Sequence, residues 1–330
     1  MVPLAARLFL TLAAAFGLAA PAGAQEAPAP APVATPANPE TVLGYELDRA
    51  DRMTVPVIVD GRGPYDFVVD TGAERTVIAR ELATHLALGA GKRTRVHSMS
   101  EVSDIETVII PHLEVAGDKV RSIQAPALAR RNLGAEGMLG VDSLKSRRIS
   151  FDFDKGEMTI SPSRRREPSW APGTIVVTGK RLFGRLVLVD ASVEGQKVWV
   201  IIDTGSEVTL GNSALRRKLE AKGRLGPVRP IDGMSVTGGI FQADQGVAKR
   251  IRIGGMDIED LPIAFADVHP FKKLDLMDRP ALLLGMDALR LFGKVSVDFA
   301  NRRVRMQARP EASRQGGAQF AQVLAANPGR

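Results

Sequence analysis

The sequence predicts an all-β protein made of two duplicated β-rich lobes. Three observations carry this. The chain has 330 residues, more than one ordinary hydrophobic core accommodates. It contains one long pattern twice. Each copy is dominated by short apolar runs separated by Gly and polar turns, the signature of strands rather than helices.

The elements follow in order. Arg7 precedes an apolar stretch from Leu8 to Ala20 and then Ala22-Gly23-Ala24, so residues 1–24 read as a secretory signal with a small-residue cleavage site. The run is short for a membrane span; an uncleaved anchor is the alternative, and it would give weak membrane association through the N-terminus. The Ala/Pro-rich residues 25–40 read as an extended tether. Lobe one is expected over 41–162, a Pro- and Arg-containing linker over 163–172, lobe two over 173–308, and a polar, disordered tail over 309–330.

The repeat is traced residue by residue. Tyr65-Asp66-Phe67-Val68-Val69-Asp70-Thr71-Gly72-Ala73-Glu74 corresponds to Val198-Trp199-Val200-Ile201-Ile202-Asp203-Thr204-Gly205-Ser206-Glu207. Upstream, Val55 to Gly61 corresponds to Leu186 to Val189 followed by Val193-Glu194-Gly195. Downstream, Leu113 to Gly117 matches Ile251 to Gly255, Gly137 to Asp142 matches Leu282 to Asp287, and Ile149 to Phe153 matches Val295 to Phe299. Short helices are expected at Val77 to Leu86, Ser213 to Leu219, Asp142 to Lys145 and Asp287 to Leu291.

Composition narrows the chemistry. There is no Cys, which excludes structural disulfides, thiol catalysis and Cys-ligated zinc. Four His residues, His85, His97, His112 and His269, are scattered without a metal-ligand spacing, so neither a metal nor another cofactor is expected. The formal charge of +7 falls to +6 without the signal, which holds one Arg and no acid. The basic clusters, such as Arg164-Arg165-Arg166 and Arg216-Arg217-Lys218, carry no nucleic-acid motif or interleaved aromatics. They read as solvated surface, not as a nucleic-acid site.

One D-T-G is an ordinary turn after a strand. Two, at corresponding places in a repeat, mean more. An Asp at the end of an apolar strand sits where charge is costly. The Gly lets the loop turn sharply and aim backbone N–H groups at the carboxylate. If two such loops meet across a pseudo-twofold axis, the carboxyls share a proton, an effect for which the aspartic-protease dyad is the standard illustration.

The two D-T-G-x-E segments, with Met138-Leu139-Gly140 and Leu283-Leu284-Gly285, resemble aspartic proteases of the retropepsin-like group, in a fused two-lobe arrangement like that of the pepsins. The resemblance implies two duplicated acid-protease β-barrel lobes with a cleft between them, an aspartic endopeptidase activity and Asp70 and Asp203 as the catalytic dyad. It implies that Thr71 and Thr204 cross-link the loops and that Gly72 and Gly205 contact the dyad and substrate. Ala73 departs from the pepsin pattern, because it has no hydroxyl to offer Asp70, whereas Ser206 is positioned to donate to Asp203. Loss of a donor to an ionised carboxylate predicts activity extending nearer neutral pH.

The family also covers its cleft with a hairpin flap. Candidates are Arg95 to Thr107, with Met99 and Ser100, and Ile231 to Phe241, with Gly238 and Gly239. Neither holds a Tyr, the residue pepsins place there. A peptide or protein substrate would bind extended, by β-addition, and the linker favours pairing of the lobes within one chain, hence a monomer. The resemblance and the signal together point to a bacterial-type periplasm. Rival readings are a non-catalytic peptide-binding module with the same fold, an envelope scaffold whose basic patches bind membrane, and lobes that pair between chains.

Overall fold

The interior of the first lobe is built by alternation. In the strand Met53–Val59, Val55, Val57 and Val59 are fully buried, as expected of one face of a two-sided strand. Arg62–Val69 is exposed where it begins and buried at Phe67, Val68 and Val69. Such a continuous apolar run suits a strand covered on both faces, and here Gly137–Leu139 lies beside it in parallel register. The strands Met53–Val59, Arg62–Val69, Gly137–Leu139, Val77–Ala79, Asp118–Leu128 and Thr107–Val115 pair in that order. Thr107–Val115 then pairs back onto Met53–Val59, closing a six-stranded barrel. These features belong to a computed structural model that describes residues 41–48, 52–144, 146–163, 170, 173–182 and 185–309. The expected signal and tether lie outside the described residues, as do most of the linker and all of the tail beyond Arg309.

The second lobe repeats the order with one break. Arg185–Leu188, Trp199–Ile202, Ala281–Leu284, Leu210–Gly211, Met256–Phe265, Ile240–Ile253 and Ala191–Val193 pair in sequence. In lobe one a single strand serves both neighbours, since Val57 and Val59 pair on either side. In lobe two its counterpart is split. Arg185–Leu188 joins Trp199–Ile202, and Ala191–Val193 joins Ile240–Ile253.

Between the lobes runs a six-stranded antiparallel ribbon, Thr41–Gly44, Glu157–Pro162, Arg147–Asp152, Phe292–Asp298, Arg303–Ala308 and Thr174–Leu182. Its two central strands are the repeated segments themselves. Ser150 lies opposite Ser296, with Ile149 opposite Val297 and Phe151 opposite Val295. The ribbon's buried side chains join those of the barrels in one continuous core.

The all-β expectation holds, with two duplicated halves. The helices are short. Ser213–Glu220 forms as expected, capped by Asn212, whose side chain accepts from the Leu215 N–H at 2.9 Å. Val141–Leu144 and Met286–Leu289 stand at the other two expected places. The helix expected from Val77 is corrected: Val77–Ala79 is a strand and the helix is Arg80–His85. The β-branched pair Val77 and Ile78 is taken by the barrel, which buries it. Two further helices, Arg130–Leu133 and His269–Lys273, are too short to leave a period in the sequence.

Candidate active site

Each D-T-G loop is launched by a buried strand and pinned from beneath. The Asp70 N–H donates to the Leu139 carbonyl at 3.0 Å, and the Asp203 N–H donates to the Leu284 carbonyl at 3.0 Å. The apolar-apolar-Gly segments therefore cross directly under the loops. Gly140 leaves no room for a side chain, because a Cβ there would fall 2.4 Å from the Arg75 backbone. At Gly285 it would fall 2.5 Å from the Val208 carbonyl oxygen.

A second tie was not foreseen from the sequence. Thr76 donates its N–H and hydroxyl to Asp142 Oδ1, at 2.9 and 2.7 Å. Thr209 does the same to the two oxygens of Asp287, at 2.9 and 2.7 Å. Each threonine hydroxyl then accepts from the glycine N–H of the crossing segment, Gly140 or Gly285, at 3.2 Å. The signal was present: both copies carry Thr six residues after the Asp of D-T-G, and Asp two residues after the Gly. Asp287 is partly buried, and burial raises its pKa above the ordinary Asp value, with the Thr209 bonds acting in the opposite sense.

The two loops meet. The Thr71 N–H donates to Thr204 Oγ1 and the Thr204 N–H to Thr71 Oγ1, both at 3.1 Å. The Thr71 hydroxyl donates to the Ile202 carbonyl at 2.9 Å, and the Thr204 hydroxyl to the Val69 carbonyl at 2.5 Å. Both threonines are buried, so each exchange satisfies groups that water cannot reach. This interlock matches the cross-link expected of Thr71 and Thr204.

It also sets the carboxyls. Asp70 and Asp203 are buried, 8% and 4% exposed. Asp70 Oδ1 accepts from the N–H groups of Gly72 and Ala73, at 2.7 and 2.8 Å. Asp203 Oδ1 accepts from Gly205 N–H at 3.0 Å. A Cβ on Gly72 would lie 2.5 Å from the Asp203 carboxyl carbon, and one on Gly205 would lie 2.3 Å from that of Asp70. Each carboxyl is thus held by its own loop and pressed against the glycine of the other. One expectation is corrected: the Ser206 hydroxyl donates to the Val208 carbonyl at 2.8 Å. The serine turns back to a carbonyl two residues on, a local bond that short hydroxyl side chains readily make.

Both flap candidates are hairpins, Thr94–His97 with Val102–Ile105 and Arg229–Met234 with Ile240–Ile253. Their tips touch. Ser100 and Ser235 hydroxyls lie 2.9 Å apart, and the Thr237 hydroxyl donates to that of Ser98 at 3.0 Å. Gly239 packs on Ser100, where a Cβ would fall 2.3 Å from the hydroxyl oxygen. Gly238 takes φ +89°, a left-handed conformation that glycine adopts at no cost. Met99 crosses to the second lobe, packing on the apolar cluster around Ile201, Leu210 and Leu283.

The second lobe returns the contact through its short helix His269–Lys273. The His269 N–H donates to the Met99 carbonyl at 3.3 Å. Lys273 Nζ forms an ion pair with Glu74, in the Asp70 loop, at 2.6 Å. His97, read from the sequence as an isolated histidine, meets His269 with ring centroids 4.4 Å apart. Nothing in local spacing links two residues so far apart in the chain; only the flap's crossing brings them together.

Comparison with known proteins agrees with this geometry. No curated protein matches the chain. The family description "Aspartyl protease" matches it twice, over residues 55–143 and 189–288, which is more than half of its length and includes both D-T-G loops and both crossing segments. The chain belongs to the aspartyl protease family.

Proposed function

We propose that the chain is an aspartic endopeptidase in which Asp70 and Asp203 act on one water and one peptide bond. The observation that carries the reading is the reciprocal packing of Gly72 on the Asp203 carboxyl and Gly205 on the Asp70 carboxyl. That arrangement suits two carboxyls sharing a proton, whose titration belongs to the pair. The ionised member takes a proton from water, which attacks the scissile carbonyl carbon. The protonated member donates to the carbonyl oxygen, and a proton then passes to the leaving nitrogen as the C–N bond breaks. Backbone donors at Gly72, Ala73 and Gly205 hold the carboxyls in place, so little reorganisation accompanies the reaction.

The substrate in this reading is an extended peptide between the D-T-G loops and the two flap tips, paired by its main chain. Because both aspartates come from one chain, one copy carries a complete dyad. Export through residues 1–24 to a periplasm-like compartment is part of the same proposal.

The test is cleavage of a mixed peptide library by residues 25–330 across pH 3 to 8, with pepstatin and with Asp70→Asn or Asp203→Asn. Cleavage abolished by either substitution supports the shared dyad. A folded protein that binds peptides but cleaves none at any pH would instead be a peptide-binding module.

A further inference from the structure

We propose that the flap of lobe one is held shut by an acid-released latch, the imidazole of His97 against that of His269, so that the site opens as pH falls. What the opening admits rests on the proteolytic reading; the opening itself does not.

The geometry is specific. His97 stands at the end of the flap strand Thr94–His97. His269 begins the lobe-two helix His269–Lys273. One nitrogen of His97, Nδ1, lies 3.3 and 3.1 Å from the two nitrogens of His269. Two neutral rings, or one neutral and one charged, tolerate this approach. Two imidazolium ions at this separation repel, and neither has a lone pair to accept the other's proton. The latch bears directly on the flap, since the His269 N–H also holds the Met99 carbonyl at the flap tip.

The surroundings divide into two kinds. Lys272 and Lys273 lie on the helix of His269 itself and stay beside it when the flap moves, with Lys273 drawn to Glu74, whereas the flap supplies His97 and covers the ring. Burial, then His97, then these two lysines push the pKa of His269 below the ordinary imidazole value. The remaining charged groups on the packed elements are Arg95 and Asp104, 3.8 Å apart at the flap's exposed side, Glu101 in its turn, and Asp267, whose carboxylate accepts the Ser213 N–H. A pKa lowered in the closed state means that closure is favoured while His269 is neutral and weakens as pH falls below the ordinary His range, about 6.5.

The second flap has no such switch. Its tip rests on the equivalent lobe-one helix, with Gly238 against Asn132, and an amide does not titrate here. Nor do the hydroxyls of Ser98, Ser100, Ser235 and Thr237 that join the tips.

The chain has no cysteine, so Val102→Cys and Ile240→Cys, both exposed, place two nitroxide labels cleanly, one on each flap. Pulsed electron spin resonance would be recorded from pH 8 to 5 on the full chain carrying Asp70→Asn to prevent self-cleavage. The expected result is one short distance at pH 8 and a growing longer population below pH 6.5, with far-UV circular dichroism unchanged. In the His97→Gln and His269→Gln double variant the distribution should not vary with pH. Distances independent of pH in the parent, or an acid opening that survives in the double variant, would overturn the latch. Because the labelled protein is catalytically dead by design, a wild type that cleaves nothing would sink the proteolytic reading and leave this result standing.

Discussion

Ser150 donates its hydroxyl hydrogen to Ser296 at 2.9 Å, and each is the other's counterpart in the repeat. The pseudo-twofold axis therefore passes between two buried hydroxyls at the centre of the ribbon that joins the lobes. Equivalent residues meet themselves only on such an axis, so this pair fixes how one lobe is turned against the other. The same rotation delivers Asp70 and Asp203 to a common point.

Ser150→Ala is expected to cost about 1–2 kcal/mol, because it leaves the fully buried Ser296 hydroxyl without its partner. The double alanine variant should cost less than the sum of the two single changes, since no orphan remains. Urea unfolding of the four proteins of the cycle measures this. Strictly additive losses would mean that the hydroxyl pair contributes nothing specific.

Gly72→Ala and Gly205→Ala are expected to be folded and inactive. Each adds a methyl inside the van der Waals contact of the opposite carboxyl, 2.5 or 2.3 Å from its carbon. The loops must part for it to fit, and a displacement of about 1 Å is enough to cost roughly 10²-fold in rate. The check is kcat on a cleaved peptide, alongside a thermal melt. Activity within a few-fold of wild type would show that the carboxyls do not need this approach.

Much of this site was legible because a duplicated chain repeats its chemistry at matched positions. The Thr71–Thr204 exchange and the crossing at Gly140 and Gly285 follow from motifs that occur twice. Thr76 and Thr209 were equally repeated, but a Thr beside Val77 or Leu210 reads as ordinary strand composition. The meeting of His97 and His269 had no local signal, because it depends on a flap crossing from one lobe to the other. The split of the lobe-two strand shows in the sequence as an interruption between Val189 and Val193, but which neighbour each piece joins does not. Ser206 misled for another reason: a hydroxyl has several acceptors within reach, and spacing alone does not choose among them.

Asp287 should make stability depend on pH in an identifiable direction. Burial raises its pKa in the folded state, so the native protein holds that proton more tightly than the unfolded chain. Its contribution is complete below the ordinary Asp range, about pH 3.9, and is lost as pH rises through the raised value. Asp287→Asn removes that slope. It also loses the acceptor for the Thr209 N–H, which costs about 1–3 kcal/mol near neutral pH. Urea midpoints of both proteins from pH 4 to 8 test this. Curves that run parallel over the whole range would refute the assignment.

Ala73→Ser tests what the hydroxyl at this position does. From sequence, a serine there reads as a donor to the neighbouring carboxylate. The structure answers with Ser206, which occupies the equivalent place in lobe two and donates to the Val208 carbonyl instead. By the pseudo-symmetry, a serine at 73 would turn to the Arg75 carbonyl, and Asp70 would keep its two N–H donors, from Gly72 and Ala73. Neither carboxylate then gains a hydroxyl donor. The acid and basic limbs of the kcat/KM profile of Ala73→Ser should accordingly overlay those of wild type within about 0.3 pH unit, well inside the ordinary spread of about one unit among protein carboxyls. If the acid limb moved down by a full unit, the introduced hydroxyl would be bonding the ionised dyad, and the orientation of Ser206 would not be a guide to its counterpart.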